Sequence, residues 1–201
     1  MGKKLEIKPF NGPPEVSLDY ELVKDLLMKS SATSPAHDEV SLSDIRHWCE
    51  IMQDPNPLYY DTEYARKSEY GGPIAPPAMV QTWSLEPMKI AIEHFVNGFL
   101  EFPEDPHVQL NDRLEKAGYS AVMATAQEAT YLAPIRPGDI IYTTITLVQI
   151  SDYDHFTRQG IGRYYTILYT FKNQDGVEVC RETFRVLFYK PPISTRQLYK
   201  G

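Results

Sequence analysis

A chain of 201 residues suits one compact domain with an extension, and it can bury a sizeable core without disulfide staples. A formal charge of −7, from 20 Lys and Arg against 27 Asp and Glu, excludes the basic face of a nucleic-acid binder. The two cysteines, Cys49 and Cys180, make no disulfide framework, no stretch reaches the length of a membrane span, and no metal-ligand spacing joins the five histidines.

Met1 to Glu6 lacks an apolar signal core, so a cytoplasmic protein is expected. Residues 1–40 read as an N-terminal arm. In it, Pro9, Gly12, Pro13 and Pro14 precede a short helix at about 19–29, where Leu22, Val23, Leu26 and Leu27 recur at helical spacing, and a polar loop follows from Ser30 to His37. Ser41 then N-caps a helix whose apolar stripe is Leu42, Ile45, Trp48, Cys49 and Met52. Pro55 and Pro57 exclude helical geometry at the residues before them, so this helix stops near Gln53 and a stiff loop follows.

A second short helix is expected around 61–69, then the backbone-dictated turn Gly71-Gly72-Pro73-Ile74-Ala75-Pro76-Pro77. Pro76 and Pro77 fit the start of a further helix carrying the apolar segment Ala78 to Trp83. Another helix is expected at about 85–96, with Pro87 in its first turn, and one more over Leu110 to Lys116. From residue 119 the period changes to alternation: 119–131, 140–150, 163–172 and 177–189 read as strands. Turns are expected at Pro134 to Asp139 and at Asn173-Gln174-Asp175-Gly176. Within the last two strands, Tyr165, Ile167, Tyr169 and Phe171 share one face, as do Cys180, Phe184, Val186 and Phe188. Helices followed by an antiparallel meander make an α+β domain.

Chemistry is sought first in the loop Asp54-Pro55-Asn56-Pro57-Leu58. It reads either as an Asx-rich turn after a helix or as a rigid platform presenting Asp54 and Asn56 to a site. Elsewhere His37, His47, His94 and His107 are scattered, and His155 is expected in a solvated turn. Gly160-x-Gly162 is expected to mark a bulge or close strand packing, and Arg136 and Arg158 are surface charges or contacts for phosphates.

Asp54-x-Asn56-Pro57-Leu58, with Asp61, Ala65 and Gly72-Pro73-Ile74-Ala75, resembles the hydratase motif of MaoC-type (R)-specific enoyl-CoA hydratases. Tyr131-Leu132-x-Pro134-Ile135-Arg136-Pro137-Gly138-Asp139 is similar to the strand-turn-strand signature of that family. The resemblance implies a hot-dog fold over residues 41–192, an antiparallel sheet wrapped around a central helix, with the arm before it and a tail at 193–201. It also implies water addition to a trans-2-enoyl-CoA, with the coenzyme A thioester as substrate and no other cofactor. In the family an Asp and a His activate the water, and a Gly at the start of the central helix offers its N–H to the thioester oxygen.

This sequence departs at both positions: Tyr59 stands where the His would be, and Pro76-Pro77 replace the His-Gly pair. A phenol is a poor base near neutrality, and proline has no N–H to give. The chain especially resembles the degenerate half found in two-part hydratases, in particular the hydratase domain of the larger subunit of actinobacterial steroid side-chain enoyl-CoA hydratases. That implies a catalytic hot-dog partner in a hetero-oligomer or dimer, Asp54 as a residual catalytic position, and Asn56, Tyr59, Tyr60, Ala75, Pro76, Pro77, Ala78, Met79 and Trp83 lining an acyl-CoA site. Pro87 would break the central helix and make room for a bulky acyl group. Two alternatives stay open: a hot-dog thioesterase using Glu86, and a scaffold protein without turnover.

Overall fold

The computed structural model describes residues 19–85, 87–90, 92 and 105–191. Expectations for Pro9 to Pro14, for Glu86, for His94 and Phe95, and for the tail at 193–201 lie outside the described residues.

Six strands make one antiparallel sheet: β1 (Ser34–Pro35), β2 (Ala121–Tyr131), β3 (Tyr142–Ile150), β4 (His155–Thr157), β5 (Gly160–Lys172) and β6 (Glu178–Lys190). Their order is β1-β3-β5-β6-β2, with β4 paired to the start of β5. The strands expected from alternation are all present. The turns between them follow from local chemistry. Asn173 accepts the amides of Asp175 and Val177 on its side chain, and Gly176 supplies φ +76, which other residues adopt only with strain. In the other turn Asp139 accepts the Arg136 amide at 2.7 Å and Gly138 supplies φ +90.

One face of the sheet is covered in two halves. Over the first lie α1 (Leu42–Met52) and a 3₁₀ segment, Pro77–Ser84; they bury Ile45, Cys49, Met79, Val80 and Trp83 against Ile141, Phe171 and Cys180. Two short helices, α2 (Pro57–Tyr60) and α3 (Thr62–Lys67), follow α1. Over the second half lie α4 (Pro106–Lys116) and the chain around Val23 and Leu26; they bury Leu110 and Leu114 against Tyr165, Ile167 and Val186. A sheet wrapped over a central helical segment is the expected hot-dog arrangement.

Caps explain the helix starts. Ser41 accepts the Asp44 amide at 3.1 Å and so begins α1 at the expected position. Asp105 accepts the amides of His107 and Val108 and Pro106 occupies the first turn, so α4 begins four residues before the expected Leu110.

The helix expected at 19–29 is corrected. Two single 3₁₀ turns form instead, Tyr20–Leu22 and Lys24–Leu26, because β3 competes for the backbone of this stretch. The Met28 amide donates to Leu147 O at 2.8 Å, and the Leu147 amide donates back to Lys29 O at 3.1 Å. The Ser31, Ala36 and Val40 amides likewise donate to carbonyls of Ile145, Ile141 and Asp139. The described part of the arm is thus docked along β3.

At the other side of the sheet, β2 is a free edge among the described residues. Ten of its eleven residues are exposed, on both faces, with Glu128 its one charge and no proline. Gly160 and Gly162 show the close packing expected of them, since a Cβ on Gly162 would sit 2.6 Å from Tyr189 Cβ. His155, expected in a solvated turn, instead opens β4 and is 8% exposed, its ring between those of Tyr153 and Tyr164. The reason is the Asp154–Arg163 pair beside it, which draws this part of the chain onto the sheet.

Candidate functional site

α1 ends because Gln53 adopts the left-handed conformation, φ 54 and ψ 40, and the Asp54 amide closes back on Cys49 O at 2.9 Å. Side-chain caps then fold the loop. Asp54 Oδ1 accepts the Asn56 amide at 3.1 Å, and Asn56 Oδ1 accepts the Leu58 amide at 3.1 Å, so Asn56 N-caps α2 with Pro57 at its first position. Asp61 repeats the device for α3 through the amides of Glu63 and Tyr64. Both readings of the loop are therefore physically present: Asp54 and Asn56 hold the turn together, and the turn holds them in place.

The Ile74 amide donates to Leu58 O at 3.2 Å and the Ala75 amide to Ile135 O at 2.8 Å. These two bonds bring Gly72 to Pro76 between α2 and the 134–139 turn, and set the 3₁₀ segment beside the Asp54 loop. Within it the Met79 amide donates to Pro76 O at 2.9 Å. Pro76 and Pro77 offer no N–H, so the first amide of the segment belongs to Ala78.

The residues singled out from the sequence separate by burial. Ala75, Pro76, Met79 and Trp83 are buried, and Asp54, Asn56, Tyr59 and Pro77 are half-buried. Ala78 and Tyr60 are exposed, and the Tyr60 hydroxyl donates to Pro55 O at 2.9 Å, which ties it to the outside of the loop. Tyr59 packs against the core that contains Met79 and Trp83. Its neighbourhood makes it a weak acid: burial pushes the phenol above its ordinary value, Asn56 pulls it partly back, and Asp54, Cys49 and Tyr70 push it up further. A neutral phenol beside Asp54 can donate a hydrogen bond but has no lone pair basic enough to take a proton from water near neutrality. Cys49, under the same loop, is also raised, by burial first and then by Asp54. It is a packed thiol.

The 3₁₀ segment ends at Ser84 with Leu85 extended, and residues 88–90 and 92 are helical again, so no single helix runs through 77–95. Among the described residues there is no group of three or more His, Cys, Asp and Glu suited to a metal ion. None of the described helices is long and apolar enough to cross a membrane.

Glu182 was not singled out from the sequence. It is 3% exposed in β6 and accepts the side-chain amides of Gln127, at 2.8 Å, and Gln81. A signal existed: Glu182 falls between Cys180 and Phe184 on a strand face otherwise apolar, where an acid costs free energy unless it is hydrogen-bonded. Its two partners lie far away in sequence, in the 3₁₀ segment and in β2.

The profile of a family described as FAS1-like, dehydratase domain region, matches residues 28–182. A probable enoyl-CoA hydratase alpha subunit from Thermomonospora curvata is 33% identical over 77% of this chain and 46% of its own length. The 3-oxo-4,17-pregnadiene-20-carboxyl-CoA hydratase alpha subunit from Mycobacterium tuberculosis is 29% identical over 78% of this chain and 47% of its own. The chain thus spans about half the length of the curated relatives it matches. Among solved structures, one chain of the ChsH1-ChsH2 complex from M. tuberculosis superposes with a TM-score of 0.73 at 28% identity, over 86% of this chain and 91% of that one.

Proposed function

Because the chain belongs to the FAS1-like dehydratase family, of MaoC-like type, we propose that it is the acyl-CoA-binding, catalytically degenerate half of an enoyl-CoA hydratase. It would work with a second hot-dog chain that carries the catalytic Asp and His, in the cytoplasm and with the thioester as the sole coenzyme involved. One observation carries the reading: Tyr59 and Pro76-Pro77 remove a base and an N–H donor from the same small region, on either side of the contact made by Ile74 with Leu58.

The division of labour follows from what each half must supply. Hydration needs a base to deprotonate water as it attacks the β-carbon, an acid to return a proton to the α-carbon, and a donor to the thioester oxygen as it gains negative charge. At this site the phenol stays neutral and the segment begins with two residues that cannot donate. What remains is shape: in this reading the buried Ala75, Pro76, Met79 and Trp83 would supply an apolar wall to the acyl group, with Asn56, Tyr59, Tyr60, Pro77 and Ala78 around it. The interruption at Leu85 supports a bulky acyl group, as does the steroid-type acyl-CoA in the name of the M. tuberculosis relative. Support for a partner comes from the free β2 edge, from the word subunit in the names of both relatives, and from the structural neighbour being a complex.

The test is a hydration assay with trans-2-enoyl-CoAs. This chain alone is expected to give no rate above the uncatalysed one. Mixed with a hot-dog chain bearing an intact Asp-x-Asn-Pro-x-His motif, it is expected to give hydration that survives Asp54→Ala here to within about threefold. Robust turnover by the isolated chain overturns the degenerate assignment, and no turnover in any pairing favours a scaffold. A companion variant probes the two losses separately. Tyr59→His restores the imidazole but not the N–H, so the isolated chain should remain inactive; measurable hydration by that variant would show that the prolines are no obstacle.

A further inference from the structure

Glu182 joins three elements on the inner face of the sheet. Its Oε1 accepts the side-chain amide of Gln81, from the 3₁₀ segment, and that of Gln127, from β2, at 2.8 Å. A carboxyl group buried this deeply costs free energy that the two amides offset. An apolar residue would fill the same place between Cys180 and Phe184 and would need neither amide.

An irregularity in β2 is what aims Gln127 at the carboxyl group. Ala124 stands opposite Val186 and Ala126 opposite Arg185, so Thr125 is the extra residue of a β-bulge, and its hydroxyl donates to Arg185 O at 3.1 Å. Beyond the bulge, Gln127, Ala129 and Tyr131 lie opposite Phe184, Glu182 and Cys180, on the inner face. Without it, the register of Ala124 with Val186 would continue until Glu128 stood opposite Glu182, two acids across one ladder. The bulge turns Glu128 to the outer face and brings the Gln127 amide inward.

The other arm of the bridge reaches a segment with weak geometry of its own. Runs of 3₁₀ helix longer than about three or four residues are uncommon because their hydrogen bonds are poorly aligned, and this one spans Pro77–Ser84. Gln81 stands near its middle, two residues from both Met79 and Trp83. By contrast β2 is exposed along ten of its eleven residues, at a free edge among the described residues. The bridge therefore ties the segment that would face an acyl group to the strand on which a second hot-dog chain would add.

On the acyl-CoA reading above, we propose that Glu182 is a positioning residue that couples the shape of the acyl site to the state of the β2 edge. Local opening of β2 withdraws the Gln127 amide and loosens the hold of Glu182 on Gln81. A partner strand paired on β2 suppresses that opening and keeps the 3₁₀ segment in its binding shape. Linkage makes the effect reciprocal: an acyl group seated on the segment steadies β2 in turn.

That reciprocity can be tested without a partner. Amide hydrogen exchange of the full chain, read by mass spectrometry, is compared with and without saturating decanoyl-CoA. The expected result is slower exchange over residues 77–84, where the acyl group sits, and about fivefold slower exchange of the β2 amides that pair with β6. Gln127→Ala changes an exposed position and should fold; in it the protection over 77–84 stays and the ligand-induced protection of β2 is lost. If Gln127 served stability alone, the variant would exchange faster in β2 but keep the fivefold ratio, which overturns the proposal. Protection of 77–84 without any change in β2 of the native chain also overturns it and leaves the acyl-CoA reading standing. No protection over 77–84 overturns the placement of the acyl group on this segment, and the coupling with it.

Discussion

Arg163→Met is expected to destabilise the fold by about 3–5 kcal/mol, a large share of the stability of a domain of this size. Arg163 is fully buried in β5, and its Nε–H donates to Asp154 at 3.2 Å with both side chains essentially out of water. Asp154 also accepts the Tyr119 hydroxyl, at 2.6 and 2.7 Å from its two oxygens, and the Lys190 ammonium lies 4.5 Å over the Tyr119 ring. The cluster therefore ties the end of α4, the chain before β4, the start of β5 and the end of β6. Removing the guanidinium leaves a carboxylate buried without its counter-charge, which costs far more than the pair contributes when intact. Guanidinium-chloride unfolding followed by the fluorescence of Trp48 and Trp83 measures the loss. A change below about 1 kcal/mol would mean that water or another group compensates Asp154. The double variant Arg163→Met, Asp154→Leu should recover most of the loss, since no lone charge then remains.

An alanine at Gly160 is expected to do comparable damage by a different route, about 3–5 kcal/mol from strain and overpacking together. Gly160 sits at φ +134, which side chains rarely adopt, and an added Cβ would fall 2.0 Å from Lys190 O. Backbone, not a flexible side-chain end, would have to move. Gly162→Ala is milder in dihedral terms but would set its Cβ 2.7 Å from Phe188 O and from Leu187 Cδ1. Gly176→Ala is the control: its φ is +76 but nothing lies within 4 Å of the added carbon. Thermal unfolding should rank them Gly160, then Gly162, then Gly176. A Gly160 variant as stable as the Gly176 one would mean that β5 and β6 can part at that end without cost.

How legible these features are in the sequence depends on how far apart their causes lie. Ser41 and Asp44 are three residues apart, and the start of α1 could be read directly. Asn173 to Gly176 and Pro134 to Asp139 carry their own turn chemistry. The 19–29 stretch has a helical stripe, but its amides are claimed by a strand more than a hundred residues later, and periodicity does not register that competition. Arg163 and Glu182 show the same limit in the core. Each interrupts an apolar strand face and could have been marked as anomalous, yet Asp154, Gln81 and Gln127 are found only once the chain is folded. The Asp54 loop was legible as a motif. Its Asx-turn chemistry was legible too, and the structure adds which amide each side chain takes: Asn56 for Asp54 and Leu58 for Asn56.

β2 has a consequence for how the chain must be made. Among the described residues nothing pairs with the outer edge of β2, eleven residues nearly free of charge and without proline, and such a ladder is a template on which an extended segment can condense. If a partner caps this edge, as the proposed function requires, copies made in excess of it would be left with the ladder open to self-association. On that reading, co-expression with the partner should raise the soluble yield of this chain, measured as its soluble fraction with and without the partner.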